Sequence, residues 1–114
     1  MAPTRNAGPV TPSLQQFKAR LFRALAHEVR IRLLEEIRAG ERSVGDLQER
    51  VGVSGPNVSQ HLGILRAHGL VSARRDGTSV LYSIADPRLN TLLDDARAIF
   101  ENQIAAGTAL LESE

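Results

Sequence analysis

The sequence predicts a mainly α-helical domain carrying one small β-hairpin, in the order helix, helix, helix, helix, strand, strand, helix. Three observations carry this. Apolar residues recur at helical spacing in separate stretches bounded by Ser or Pro starts and Gly stops. The third and fourth stretches are joined only by the tight turn Gly52-Val53-Ser54, which spells a helix-turn-helix. Beyond them, Asp76-Gly77 stands between two extended runs, the strongest short hairpin signal, because the central turn residues need positive φ.

Residues 1–12 hold three prolines and no apolar period, and are expected to form a flexible arm; residues 13–112 then form the single domain. Thr11-Pro12 or Ser13 caps the first helix, which runs through residue 25 with Leu14, Phe17, Leu21 and Leu25 on one stripe. A second helix spans about Glu28 to Ala39, with Val29, Leu33 and Ile37 stacked, and Gly40 stops it. Ser43 starts a short third helix that turns Val44, Leu47 and Val51 inward, with Asp46 in its first turn, where the helix dipole favours an acid. Ser54 caps the fourth helix, residues 54–68, with Pro56 in its first turn and Val58, Leu62 and Leu65 as its buried stripe; Gly69 ends it. The hairpin occupies residues 70–84, with Arg74 and Arg75 at its tip.

Asp86-Pro87 opens the last helix, expected over residues 87–112. Leu89, Leu93, Ala96, Phe100, Gln103, Gly107 and Leu110 follow alternating steps of four and three, a heptad seam. Such a helix would be about 39 Å long, more than a core of this size can cover. Its spare apolar face and that of the first helix (Leu14, Phe17, Leu21) therefore call for another chain.

Composition narrows the function. The chain has 114 residues and no cysteine, which excludes disulfides, thiolate metal sites, a cysteine nucleophile and thiol redox switching. Aromatics are 4% with no Trp, which argues against a stacking platform for single-stranded bases. No apolar run is long enough to span a membrane and no signal segment opens the chain, so a cytoplasmic protein is expected. The formal charge of +1 is an average over two unlike parts: residues 1–83 carry 12 Lys/Arg against 7 Asp/Glu, residues 84–114 carry 2 against 6. A basic body beside an acidic C-terminal segment suits a polyanionic partner.

An arginine-tipped hairpin after a helix-turn-helix makes a winged helix, in which the recognition helix (54–68) fills a major groove and the wing (70–84) reaches phosphate or minor groove. Opposite the buried stripe the recognition helix presents Pro56, Gln60, Gly63 and Ala67, flanked by Asn57 and Ser59. That face is small, polar and free of acids, where an ordinary solvated face would be rich in Glu and Lys. Gln and Asn can bond adenine bidentately. Arg74 and Arg75 read as phosphate or minor-groove contacts, against the alternative of charges that blunt a sheet edge. Arg66 stands evenly between a phosphate contact and a carbonyl cap or ion pair. No spacing suggests a catalytic set or a phosphate-cradling glycine loop, so neither enzyme activity nor a cofactor is expected. His61 and His68 are separated by about 10.5 Å along one helix, too far for one ion.

The stretch SVGDLQERVGVSGPNVSQHLGILRAHGLVSARRDGTSVLYSI resembles the core of the ArsR/SmtB family of bacterial winged-helix repressors, and the preceding ALAHEVRIRLLEEI resembles that family's second-helix signature. The resemblance covers about residues 14–105. It implies a homodimer built on the first and last helices (13–25 and 87–112), and double-stranded operator DNA as a partner that an inducer displaces. It places Ser54, Pro56, Asn57, Ser59, Gln60 and His61 on the DNA-reading segment, and Arg74, Arg75, Gly77, Thr78 and Ser79 on the wing. Metal-sensing members carry a Cys-Val-Cys pattern in the third helix where this chain has Ser43 and Gly45. Others bind zinc, cobalt or nickel between paired last helices through His-containing sets. The last helix here has Asp94, Asp95 and Glu101 but no histidine, and carboxylates alone suit such metals poorly. The family also often has Lys where Gly63 stands, so one phosphate contact is expected to be missing.

The leading expectation is a homodimeric repressor on an inverted-repeat operator that does not sense metal through these sites. The other reading is a winged-helix interaction module whose acidic last helix docks a different protein. The signal stays open among an unknown small-molecule inducer, another repressor and none. Gln103 and Gly107 in the seam read as a polar register device and a close helix crossing before they read as space for a ligand.

Overall fold

A computed structural model describes residues 11–107. The elements are α1 (Leu14–Leu25), α2 (Glu28–Arg38), β1 (Arg42–Ser43), α3 (Val44–Val51), α4 (Gly55–Ala67), β2 (Val71–Asp76), β3 (Ser79–Ile84) and α5 (Arg88–Ala105). The expected arm lies outside these residues apart from Thr11 and Pro12.

Local chemistry sets the helix starts. Ser13, not Thr11, caps α1: its hydroxyl accepts from the Gln16 N–H at 3.1 Å while the Gln16 side chain accepts from the Ser13 N–H at 2.9 Å, a reciprocal capping box. Ser43 and Ser54 cap α3 and α4 one way only, each hydroxyl accepting from a backbone N–H, that of Asp46 and of Asn57. At the other ends, arginines satisfy carbonyls left over from the helices. Arg30 Nε donates to the Ala24 carbonyl at 2.7 Å, Arg42 Nε to Glu36 at 3.1 Å and Arg32 Nη2 to Val51 at 2.8 Å. Part of the basic excess therefore ties helix ends together instead of facing outward.

The core gathers Leu33, Leu34 and Ile37 of α2, Leu47 of α3, and Val58, Leu62 and Leu65 of α4, all fully buried. Ala24, Leu25, Val51, Leu70 and Val71 complete it together with Leu89 and Leu93. The stripes expected for α2, α3 and α4 are thus the ones that pack. Truncating a leucine at such a centre costs about 2–5 kcal/mol.

The sheet has three antiparallel strands in the order β1-β3-β2. β1 was not foreseen, because two residues are too few to show an alternating pattern; it pairs Arg42 with Tyr82 and Ser43 with Leu81. The hairpin turn also sits one residue later than the sequence suggested. Asp76 pairs with Ser79, so the two-residue loop is Gly77-Thr78, with Gly77 at φ +64° supplying the conformation the turn requires.

α5 departs most from expectation. Asp86 does cap it, accepting from the Arg88 N–H at 3.0 Å, with Pro87 already in helical conformation. The helix ends at Ala105, and Gly107 at φ +77° serves as a terminating turn, not a seam position. At 18 residues the helix is about 27 Å long, not 39 Å. Leu89 and Leu93 are expected on a dimer seam; they are instead buried in this chain's own core, where an ion pair between Arg38 of α2 and Asp94 holds α5. Leu110 lies outside the described residues.

Candidate nucleic-acid interface

The α3–α4 turn is built tightly. Gly52 closes α3 at φ +75°, and a Cβ on Gly55 would come within 3.0 Å of Gln48 Oε1, so the start of α4 presses against α3. With Val58, Leu62 and Leu65 locked in the core, the opposite face of α4 is fixed outward. Ser54, Pro56, Asn57, Ser59, Gln60, Gly63 and Ala67 are all exposed on or beside it. No acidic side chain lies on α4 at all.

His61 is the exception among the expected reading residues. It is half-buried at the root of α4, with its Nδ1 3.3 Å from Arg30 Nη1 and its ring centroid 4.3 Å from that of His27. Burial first, then the neighbouring His27 ring and Arg30 guanidinium, hold its pKa below the usual histidine value.

Arg66 from the end of α4 and Arg74 and Arg75 from β2 line one shallow groove of about 180 Å³ together with Ala73 and Val80. Their electrostatic states differ. Arg74 is gripped by Glu41 through two 2.8 Å hydrogen bonds, Nε to Oε2 and Nη2 to Oε1. This lowers the Glu41 pKa and raises that of Arg74. Arg66 and Arg75 form no ion pair among the described residues. They are the cations of the groove left free for an outside anion. Gly77, Thr78 and Ser79 are exposed at the wing end. Sequence reasoning missed Glu41, His27 and Arg30, because each acts on a residue more than 30 positions away and leaves no local signature.

Leu14, Phe17 and Phe22 of α1 and Ile99, Phe100 and Ile104 of α5 are the exposed large apolar side chains among the described residues, from 40% to 62% exposed. Ala96 is exposed, and Leu21 and Gln103 are partly buried. Among the described residues no group of three or more His, Cys, Asp or Glu is placed to hold a metal ion, and no helix is long and apolar enough to cross a membrane.

An exposed acid-free helix after a tight turn, flanked by an arginine-bearing hairpin, defines a winged helix-turn-helix protein of the DNA-binding class. A family model described as a helix-turn-helix domain matches residues 25–73. An HTH-type transcriptional regulator of Mycobacterium tuberculosis, Rv0081, is 45% identical over 100 residues, covering 87% of this chain and 88% of the relative. A probable mercury resistance operon repressor of Streptomyces lividans is 47% identical over 88 residues, 77% of this chain and 70% of the relative. The crystal structure of Rv0081 superposes with a TM-score of 0.78 at 42% identity, over 86% of this chain and 99% of that one. A homodimeric winged helix-turn-helix DNA-binding domain from Mycobacterium bovis, described as a possible ArsR-family regulator, gives 0.75 at 30% identity, over 81% of this chain and 85% of that one. The chain belongs to the ArsR/SmtB family of winged helix-turn-helix transcriptional regulators.

Proposed function

We propose that this chain is a cytoplasmic homodimeric repressor that binds an inverted-repeat operator in double-stranded DNA. The observation that carries the reading is the acid-free exposed face of α4 (Asn57, Ser59, Gln60, Gly63) lying beside the groove where Arg66 and Arg75 stand unpaired among the described residues. Gln60, Asn57, Ser59 and Ser54 read base edges, while Pro56 and Ala67 keep the approach close; Arg66, Arg75, Gly77, Thr78 and Ser79 hold phosphate or minor groove. The apolar faces of α1 (Leu14, Phe17, Leu21) and of the distal half of α5 (Ala96, Phe100, Gln103) supply the two-fold contact. That symmetry sets two recognition helices about 34–36 Å apart, in successive major grooves. Dimeric character is supported by the Mycobacterium bovis homodimer and by the six large apolar side chains that, among the described residues, are exposed on these two helices. A protein-docking module is the lesser reading, since it leaves the acid-free face of α4 unexplained.

Footprinting on random-sequence duplexes selected by the protein tests the reading. A protected dyad with half-sites one helical turn apart is expected, and selection that yields no preferred sequence at moderate salt sinks it. Gln60→Ala should cost about 1–3 kcal/mol on the selected site and relax base choice, while Arg75→Ala should weaken all duplexes alike and lower the salt slope by about one.

A further inference from the structure

Three contacts converge where α4 meets the α1–α2 corner. Arg30 Nε donates to the Ala24 carbonyl at the end of α1 at 2.7 Å, and its Nη1 lies 3.3 Å from His61 Nδ1 on α4. His27 caps α2 by accepting the Val29 N–H on Nδ1 at 3.1 Å. The two imidazole centroids are 4.3 Å apart and the rings tilt by 51°.

Donor and acceptor chemistry fixes the protonation of both rings. A guanidinium has no acceptor, and a backbone N–H only donates. Each Nδ1 must therefore be bare, with any ring proton on Nε2. A proton added to His61 sets N–H against N–H at Arg30. It also places a second positive charge beside the guanidinium. The charged and titratable groups facing the pair are His27 and Arg30 from α2. Arg30 is held in turn by the Ala24 carbonyl of α1, and Glu28, next to His27, is exposed and forms no ion pair among the described residues.

We propose that His27, Arg30 and His61 form a latch seating the recognition helix, so that operator binding requires the His61 imidazole neutral and weakens on acidification. His27 and Arg30 are positioning residues: they act on DNA through the setting of α4. The depressed pKa of His61, caused first by burial and then by its neighbours His27 and Arg30, has the sign this requires. The folded form takes the proton less readily than the unfolded chain. The stability contribution is therefore complete above the ordinary histidine range and is lost as pH falls through it.

The inference rests on the DNA-binding reading, and the test separates the two. Binding of the selected operator and of a random duplex is measured by fluorescence anisotropy at fixed ionic strength from about pH 8 to about pH 5.5. Histidine ring resonances are followed in parallel by NMR. Operator affinity should fall by up to about tenfold per pH unit for the one proton that must leave His61, while random-duplex affinity holds or rises. His27→Ser and His27→Asn keep a capping acceptor without a titrating ring. Both should match the parent at high pH, show a shallower profile, and move the His61 titration upward. An operator profile that is flat or rises on acidification overturns the latch, as do His27 variants whose profiles superimpose on the parent. Failure to bind any duplex at any pH overturns the proposed function, and the latch with it.

Discussion

Gly63 shows how one position can set stability against function. It lies in the middle of α4, where glycine costs about 0.8–1 kcal/mol relative to alanine, and a Cβ there would meet nothing within 4 Å. Nothing inside this chain demands glycine. Gly63→Ala is therefore expected to raise stability by about 0.5–1 kcal/mol in denaturant melts. If the helix backbone approaches the bases closely, the same change weakens operator binding; unchanged operator affinity would show that this face stays clear of the groove. At the start of the same helix, Ser54→Ala removes the Asn57 cap and should cost about 1 kcal/mol.

At the scale of elements, the wing owes its charge to a residue outside it. Glu41, in the α2–β1 connection, occupies two of the donors of Arg74, so the wing presents Arg75 as its free cation. Glu41→Gln should release Arg74 toward phosphate, tighten binding to all duplexes and steepen the salt slope by about one. Stability should change little, because exposed ion pairs contribute about 0–1 kcal/mol. Acid should mimic the substitution. Arg74 holds the Glu41 carboxyl below the usual range, so the pair persists through neutral and mildly acid solution and is lost only as pH falls through that depressed value. Tighter, steeper binding by Glu41→Gln supports this picture; uniformly weaker binding would mean that Glu41 aims Arg74 at phosphate.

For the whole molecule, the distribution of exposed apolar side chains matters most. Phe17 and Phe100 are more than half exposed, on α1 and on the distal half of α5. Phe100→Asp is expected to convert a homodimer to monomer in sedimentation while the fold survives, because Phe100 contributes nothing to the core. Operator affinity should then fall steeply and single half-site affinity should hold, since each α4 keeps its own setting. A variant that stays dimeric would move the interface away from distal α5.

The local features of this protein were legible in its sequence. Serine caps, glycine stops and the leucine stripes of α2, α3 and α4 depend on neighbours within a few residues, and they specify helices, turn and recognition face directly. The absence of cysteine was equally plain and removes every thiol-based sensor. What sequence periodicity could not decide was which chain a stripe serves. The heptad steps of α5 place Leu89, Leu93, Ala96 and Phe100 on one line. Packing into the chain's own core buries the first two and leaves the latter two exposed. Nor could it say which arginines are free. The fold assigns Arg30, Arg32 and Arg42 to helix ends and Arg74 to Glu41, and leaves Arg66 and Arg75 beside α4. Short-range hydrogen bonding and periodicity determine elements; the fate of a long charged or apolar side chain depends on what folding brings within a few ångströms of it, and only the tertiary structure decides that.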